Sequence, residues 1–157
     1  MTLLTPGYHF ALVVPDLPAA CDELSRALGL TWARVQSRRV QSETPDGGVE
    51  IDVTFVYSLE GPPYLELLEQ RPGTIFGEVG LHHMGVWSDD PKAESARLDA
   101  CGCPWVSVNV DDAGEWTSGL FHELACGLRV EVVDIGASGP KLLRYLAGGD
   151  YAAPPPT

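Results

Sequence analysis

Two stretches of the chain, residues 8–70 and 80–135, run through the same order of elements, and such a duplication confines the fold to two like halves sharing one core. In the first stretch residues 8–14 form a short apolar run stopped by Pro15-Asp16, which reads as a strand. Asp16 is placed to cap a helix. Leu17, Ala20, Cys21, Leu24, Ala27 and Leu28 recur at three- and four-residue steps, the period of an amphipathic helix, and Gly29 is placed to end it. Strands come next over 31–40, 49–57 and 64–69, separated by a polar turn at 43–48 and by Gly61-Pro62-Pro63. In the middle strand Val49, Ile51, Val53 and Phe55 alternate with Glu50, Asp52 and Thr54, the period of a half-buried strand. After Arg71-Pro72-Gly73 the order starts again. A strand over 82–88 leads through Asp89-Asp90-Pro91 to a helix over 92–100, and strands over 105–110, 116–122 and 128–134 complete the copy.

An offset of 74 places His9 on His83, Asp16 on Asp90 and Leu24 on Leu98. An offset of 73 places His9 on His82, Pro18 on Pro91, Ala27 on Ala100 and Gly29 on Gly102, so the repeat alone does not choose between the two histidines. The closing strands match at an offset of 65, with Glu66 on Glu131, as expected where turns differ in length. The expectation is a single domain over 1–150 with a helix over 139–147 packed on its outside and a disordered tail over 151–157.

One histidine and one glutamate per copy thus stand at matching positions. A lone strand histidine is more often a hydrogen-bonded core residue than a ligand, and a lone strand glutamate usually faces water. Glu66 and Glu131, however, are framed by Leu65 and Leu67 and by Val130 and Val132, where an ionised carboxylate is costly unless it meets a cation or a donor. Two imidazole nitrogens and two carboxylate oxygens around one ion, at about 2.0 to 2.2 Å, would satisfy all four side chains together.

The run from Tyr8-His9 to Pro15-Asp16-Leu17, the segment Tyr64-Leu65-Glu66-Leu67-Leu68-Glu69, the segment Gly80-Leu81-His82-His83-Met84-Gly85-Val86 and the segment Gly127-Leu128-Arg129-Val130-Glu131-Val132 resemble the vicinal-oxygen-chelate superfamily. That superfamily contains glyoxalase I, methylmalonyl-CoA epimerase, extradiol dioxygenases and the fosfomycin and bleomycin resistance proteins. The resemblance implies an α+β fold of two βαβββ modules, residues 8–70 and 80–135, forming a curved mixed sheet around a metal cavity. Of adjacent histidines opening the second module it selects His83 as the ligand, with His82 on the opposite face. The metal set it implies is His9, Glu66, His83 and Glu131. Zinc, nickel, cobalt, manganese and iron all suit these donors, so the cofactor is read only as a divalent metal ion.

Because members resembling glyoxalase I and the epimerase use four such ligands and the dioxygenases three, the resemblance implies an isomerase, epimerase or lyase that abstracts a proton alpha to a carbonyl of a metal-chelated small substrate. The alternatives are an Fe(II) dioxygenase and a metal-free small-molecule-binding protein. Glu131 is the first candidate for the base, because the resemblance to glyoxalase I implies that a ligand glutamate can leave the metal and take the proton. An epimerase needs a second acid or base, and Glu50 and Asp52 are the candidates if the alternation turns Val49, Ile51, Val53 and Phe55 toward the helix layer. Trp87 shares a strand face with His83 and Tyr64 shares one with Glu66, which suggests an aromatic wall for substrate, with His122 as a further lining candidate.

Composition narrows the partners. With 10 Lys+Arg against 22 Asp+Glu the net charge is −12, which argues against nucleic-acid binding. A local patch from Arg34, Arg38 and Arg39, or from Lys141 and Arg144, could still hold an anion. The apolar run at 10–14 is too short to span a membrane and is preceded by no basic stretch, so a cytoplasmic protein is expected, with a homodimer as the candidate assembly. The four cysteines, Cys21, Cys101, Cys103 and Cys126, lack metal or redox spacing and read as reduced, buried small hydrophobes.

Overall fold

Residues 7–151 are described by the computed structural model, and both expected helices begin where an aspartate precedes a proline-containing first turn. Asp16 Oδ1 accepts from the Ala19 amide at 2.9 Å and Asp90 Oδ1 from the Ala93 amide at 3.0 Å, satisfying one orphan donor of each first turn. The elements in chain order are β1 His9–Val14, α1 Leu17–Leu28, β2 Gln36–Thr44, β3 Gly47–Tyr57, β4 Tyr64–Glu69, β5 Gly80–Ser88, α2 Pro91–Ala100, β6 Trp105–Val110, β7 Trp116–Glu123, β8 Arg129–Asp134 and α3 Ile135–Leu146. Gly29, at φ 72°, ends α1 in the left-handed conformation that a glycine adopts without strain.

The eight strands close in the order β1-β4-β3-β2-β6-β7-β8-β5, a mixed sheet of two like halves. In each half the first and last strands run parallel, β1 with β4 and β5 with β8, and the halves meet through the antiparallel pairs β1–β5 and β2–β6. The duplication is therefore physical. Ala11 pairs with Glu66 and Gly85 pairs with Glu131, each two residues beyond His9 or His83. That shared register selects His83, not His82, as the counterpart of His9.

Each strand has one face inside the closed sheet and one outside. Inward-facing Ala11, Val13, Ile51, Val53, Phe55, Tyr57, Phe121 and Val133 form one buried cluster. Outside, α1 covers Val56 and Leu67 through Leu17, and α2 covers Val86, Leu120, Val130 and Val132 through Leu98.

Several boundaries differ from those the sequence suggests. Strand β2 starts at Gln36, since Trp32 is tied instead to α1 and to the end of β3, donating from Nε1 to Ser25 Oγ at 2.9 Å and bridging to Ser58. Its far end runs through the expected polar turn, with Thr44 paired to Gly47. Helix α3 begins directly after β8, where Asp134 caps it through the Ala137 amide at 3.0 Å, and it accommodates Pro140 because Ser138, Leu142 and Tyr145 bury its inner face. It is no outer decoration. Leu142 and Tyr145 join the cluster of Phe55 and Tyr57 inside the sheet, with the Tyr145 hydroxyl donating to the Arg34 carbonyl at 2.7 Å. Tyr151, expected in the tail, is packed edge-on against Phe55 and Tyr145. The rest of that expected tail, 152–157, lies outside the described residues. The cysteines are free, but Cys101 and Cys126 are exposed rather than buried. Among the described residues no helix is long and apolar enough to cross a membrane.

Candidate metal centre

The four repeat-matched residues converge inside the sheet from four strands, β1, β4, β5 and β8. His9 Nε2 lies 2.9 Å from His83 Nε2, 3.3 Å from Glu66 Oε2 and 3.4 Å from Glu131 Oε2. His83 Nε2 lies 3.5 Å from Glu66 Oε2 and 3.3 Å from Glu131 Oε2. Both imidazoles are fully enclosed, with His9 at 0% and His83 at 1% exposure. Ligand bonds of about 2.0 to 2.2 Å around one ion put neighbouring donor atoms roughly 2.9–3.5 Å apart at ordinary coordination angles. The cluster fits a divalent cation on that ground, and His9, His83 and Glu131 offer mutually close ligand atoms of the required types.

A second observation supports the fit. Gly85 lies beside the His9 ring, where an added Cβ would come within 2.0 Å of Cε1, so the strand makes room for an imidazole laid across it. His9 Nδ1 is buried with no partner, which leaves that ring held by packing and by what its Nε2 meets.

Opposite charges in the cluster stabilise one another. Burial opposes ionisation of Glu66, but hydrogen bonds from His83 and His9 and their charge outweigh it, and the carboxyl is pulled down to about 2. Burial likewise opposes charging His83, yet the hydrogen bonds to Glu131 and Glu66 push its pKa up to about 9. Without a cation, a proton on His83 is thus the positive charge that the carboxylates hold.

The expected placement of His82 on the opposite face fails because β5 carries a bulge: Ala11 pairs with His83 and Leu12 with Leu81, leaving His82 as the extra residue. His82 is buried, with Nε2 2.8 Å from the Ile75 carbonyl and Nδ1 2.8 Å from His83 Nδ1. Burial and the neighbouring His83 charge lower its pKa to about 3, so the ring is neutral at physiological pH. His82 Nε2 also lies 2.9 Å from Arg129 Nη1, and the contact between the two Nδ1 atoms holds the His83 ring with its Nε2 toward the cluster, the usual support for a ligating histidine.

The candidate second base does not reach the site. Glu50 and Asp52 face outward, where the Arg39 guanidinium lies 2.8 Å from Asp52 and 3.4 Å from Glu50. The alternation in β3 holds but its sense is the reverse of the expectation: Val53 and Phe55 pack into the interior cluster of the closed sheet, where their burial is favourable. His122 does not line the cavity either. It is buried on the α2 side, with Nε2 2.9 Å from Ser95 Oγ and Nδ1 2.7 Å from the Cys103 carbonyl. Trp87 stacks on Tyr8 at 3.7 Å between ring centroids, and Tyr8 lines the cavity. Tyr64 stands on the inward face two residues before Glu66, partly buried against the interior cluster.

Two adjoining cavities open onto Glu66 and Glu131, and both are also lined by Phe55 and Arg38. Each offers about 40 Å³. At ~10–15 Å³ per water-sized group, each has room for a few such groups. Arg38 as a cavity residue is missed by sequence for the same reason as Val53, its partner across β2–β3: alternation does not say which face is inside.

The sequence profile of the Glyoxalase/Bleomycin resistance protein/Dioxygenase superfamily matches residues 8–118. No curated protein matches the chain. Among solved structures, a variant of Streptomyces coelicolor methylmalonyl-CoA epimerase in complex with 2-nitronate-propionyl-CoA is similar at a TM-score of 0.58 and 17% identity, covering 84% of this chain and 95% of that one. The methylmalonyl-CoA epimerase from Mycobacterium tuberculosis gives a TM-score of 0.58 at 18% identity, over 85% of this chain and 89% of the other. A hypothetical protein from Bacillus halodurans C-125 gives 0.57 at 15%, over 82% and 93%.

Proposed function

The chain belongs to the glyoxalase/bleomycin resistance protein/dioxygenase superfamily, and from that membership we propose that it is a divalent-metal-dependent isomerase, epimerase or lyase that removes the proton alpha to a carbonyl of a small chelating substrate. One observation carries this reading: two buried imidazoles and two carboxylates share a point with donor separations of 2.9–3.5 Å. The epimerases with the same fold bind CoA thioesters, which makes acyl-thioesters the first substrates to try.

His9, Glu66, His83 and Glu131 would hold the cation. When bound, it supplies an electrophile that stabilises negative charge developing on a substrate oxygen. The chain's own residues do the rest. Glu131 is the base in this proposal: its side chain, 15% exposed, is the most open of the four, and it borders both cavities. With Glu50 and Asp52 outside, Glu66 is the other carboxylate bordering them, so return of the proton to either face of the substrate falls to Glu131 or Glu66. His82 keeps the His83 ring oriented, and Tyr8, Phe55 and Tyr57 keep bulk water from the reacting end. Trp87, through Tyr8, and Tyr64 form the wall behind it.

Proton exchange tests the proposal. Metal-loaded protein in D₂O, supplied with acyl-thioesters and hemithioacetals, is expected to place deuterium on the carbon alpha to the carbonyl, and Glu131→Gln to slow this by about 10² or more. Substrate-dependent oxygen consumption in place of exchange would mean an Fe(II) dioxygenase, and untagged protein that retains no metal would mean a binding protein.

A further inference from the structure

Arg38 differs from the arginines around it. Arg34 is paired with Asp150, and Arg39 with Asp52 and Glu50, all on the exterior. Arg38 faces inward, opposite Val53, into the space bordered by Glu66 and Glu131. Its guanidinium is held over two rings, 5.7 Å from the Phe55 centroid and 5.6 Å from that of Tyr151. Its Nε is shut off from solvent and has no hydrogen-bond partner, and no carboxylate among the described residues forms an ion pair with it. Arg38 is half-buried, and an enclosed donor such as its Nε is costly unless something accepts from it.

From this, and resting on the proton-transfer reading above, we infer that Arg38 recognises a carboxylate on the substrate, and that the substrate is an organic acid whose charged group lies a few atoms from the oxygen presented to the metal centre. A carboxylate is the anion that fits. It is flat, it matches the guanidinium fork, and it is small enough for the cavities of about 40 Å³ that Arg38 lines.

The test uses the full chain loaded with Zn(II) and isothermal titration with three probes: malonate, its neutral counterpart malonamide, and inorganic phosphate. Malonate is expected to bind, malonamide to bind at least tenfold more weakly, and Arg38→Met to weaken malonate by about tenfold to a hundredfold with zinc content unchanged. Malonate affinity unaltered by Arg38→Met overturns the inference, and phosphate binding more tightly than malonate overturns the carboxylate assignment. Should Arg38→Met lower thermal stability by releasing Tyr151, Arg38→Lys keeps a charge over both rings without the fork and is expected to weaken malonate by threefold or more; wild-type affinity there overturns the inference equally. Where exchange activity exists, Arg38→Met is expected to raise KM with little change in kcat. The two readings fail separately. Malonate binding through Arg38 without deuterium exchange on any candidate removes the proton-transfer proposal, whereas exchange with malonate affinity independent of residue 38 removes this one.

Discussion

At His83, burial and two carboxylates pull in opposite directions, and the carboxylates win. With its pKa pushed up from 6.5 to about 9, the ring carries a proton at neutral pH that an incoming cation must displace. Metal affinity is therefore expected to rise about tenfold per pH unit from neutrality to about 9 and to level off above it, as read by competition with a chelator across that range. A flat profile would show that His83 is not protonated. Folding of the metal-free protein takes the opposite sign at this residue: the His83 contribution is fully present below 6.5 and is lost as pH rises through about 9, while the Glu66 contribution is present above 4.5 and is lost as pH falls through about 2. Single residues also mark what a pattern misses. Glu66 and Glu131 are visible in sequence because an acid between two aliphatic neighbours repeats, but His82 reaches His83 only through a bulge that no spacing rule contains.

Among the elements, His122 explains how α2 stays on its sheet. Helix α2 is short and weakly amphipathic in sequence, yet Ser95 and Leu98 are buried against β7 and β8, and the His122 ring bridges the Ser95 hydroxyl to the Cys103 carbonyl beyond the helix. His122→Ala is expected to cost about 2–3 kcal/mol, through a cavity and two buried groups left unpaired, and so to lower Tm by several degrees. Metal affinity should stay at the wild-type value, since the ring lies behind the sheet; a loss of metal without a loss of stability would put His122 back in the cavity. Helix α3 makes the complementary point. Gly136, Gly139 and Pro140 argue against a helix starting at Ile135, and tertiary burial of Leu142 and Tyr145 overrides that local preference.

Across the whole molecule, the centre ties the two halves together: His9 and Glu66 come from the first copy, His83 and Glu131 from the second. A cation bound only by the folded state, at 100 times its dissociation constant, adds about 2.7 kcal/mol. For a chain of this size that is a rise in Tm of roughly 5–10 °C, which a chelator should reverse and Glu66→Gln should largely abolish. A Tm indifferent to stoichiometric metal would show that the cluster binds no ion. The duplication, the order of strands and helices, and the equivalence of His9 with a second-copy histidine and of Glu66 with Glu131 are all legible in the chain alone, because periodicity and caps are local properties. Which side of each strand is inside is not a local property, and it took the closed sheet to set it. Alternation sorts a strand's residues into two sets without labelling which set faces the interior. Closure turned Val53, Phe55 and Arg38 inward and left Glu50 and Asp52 in water with Arg39.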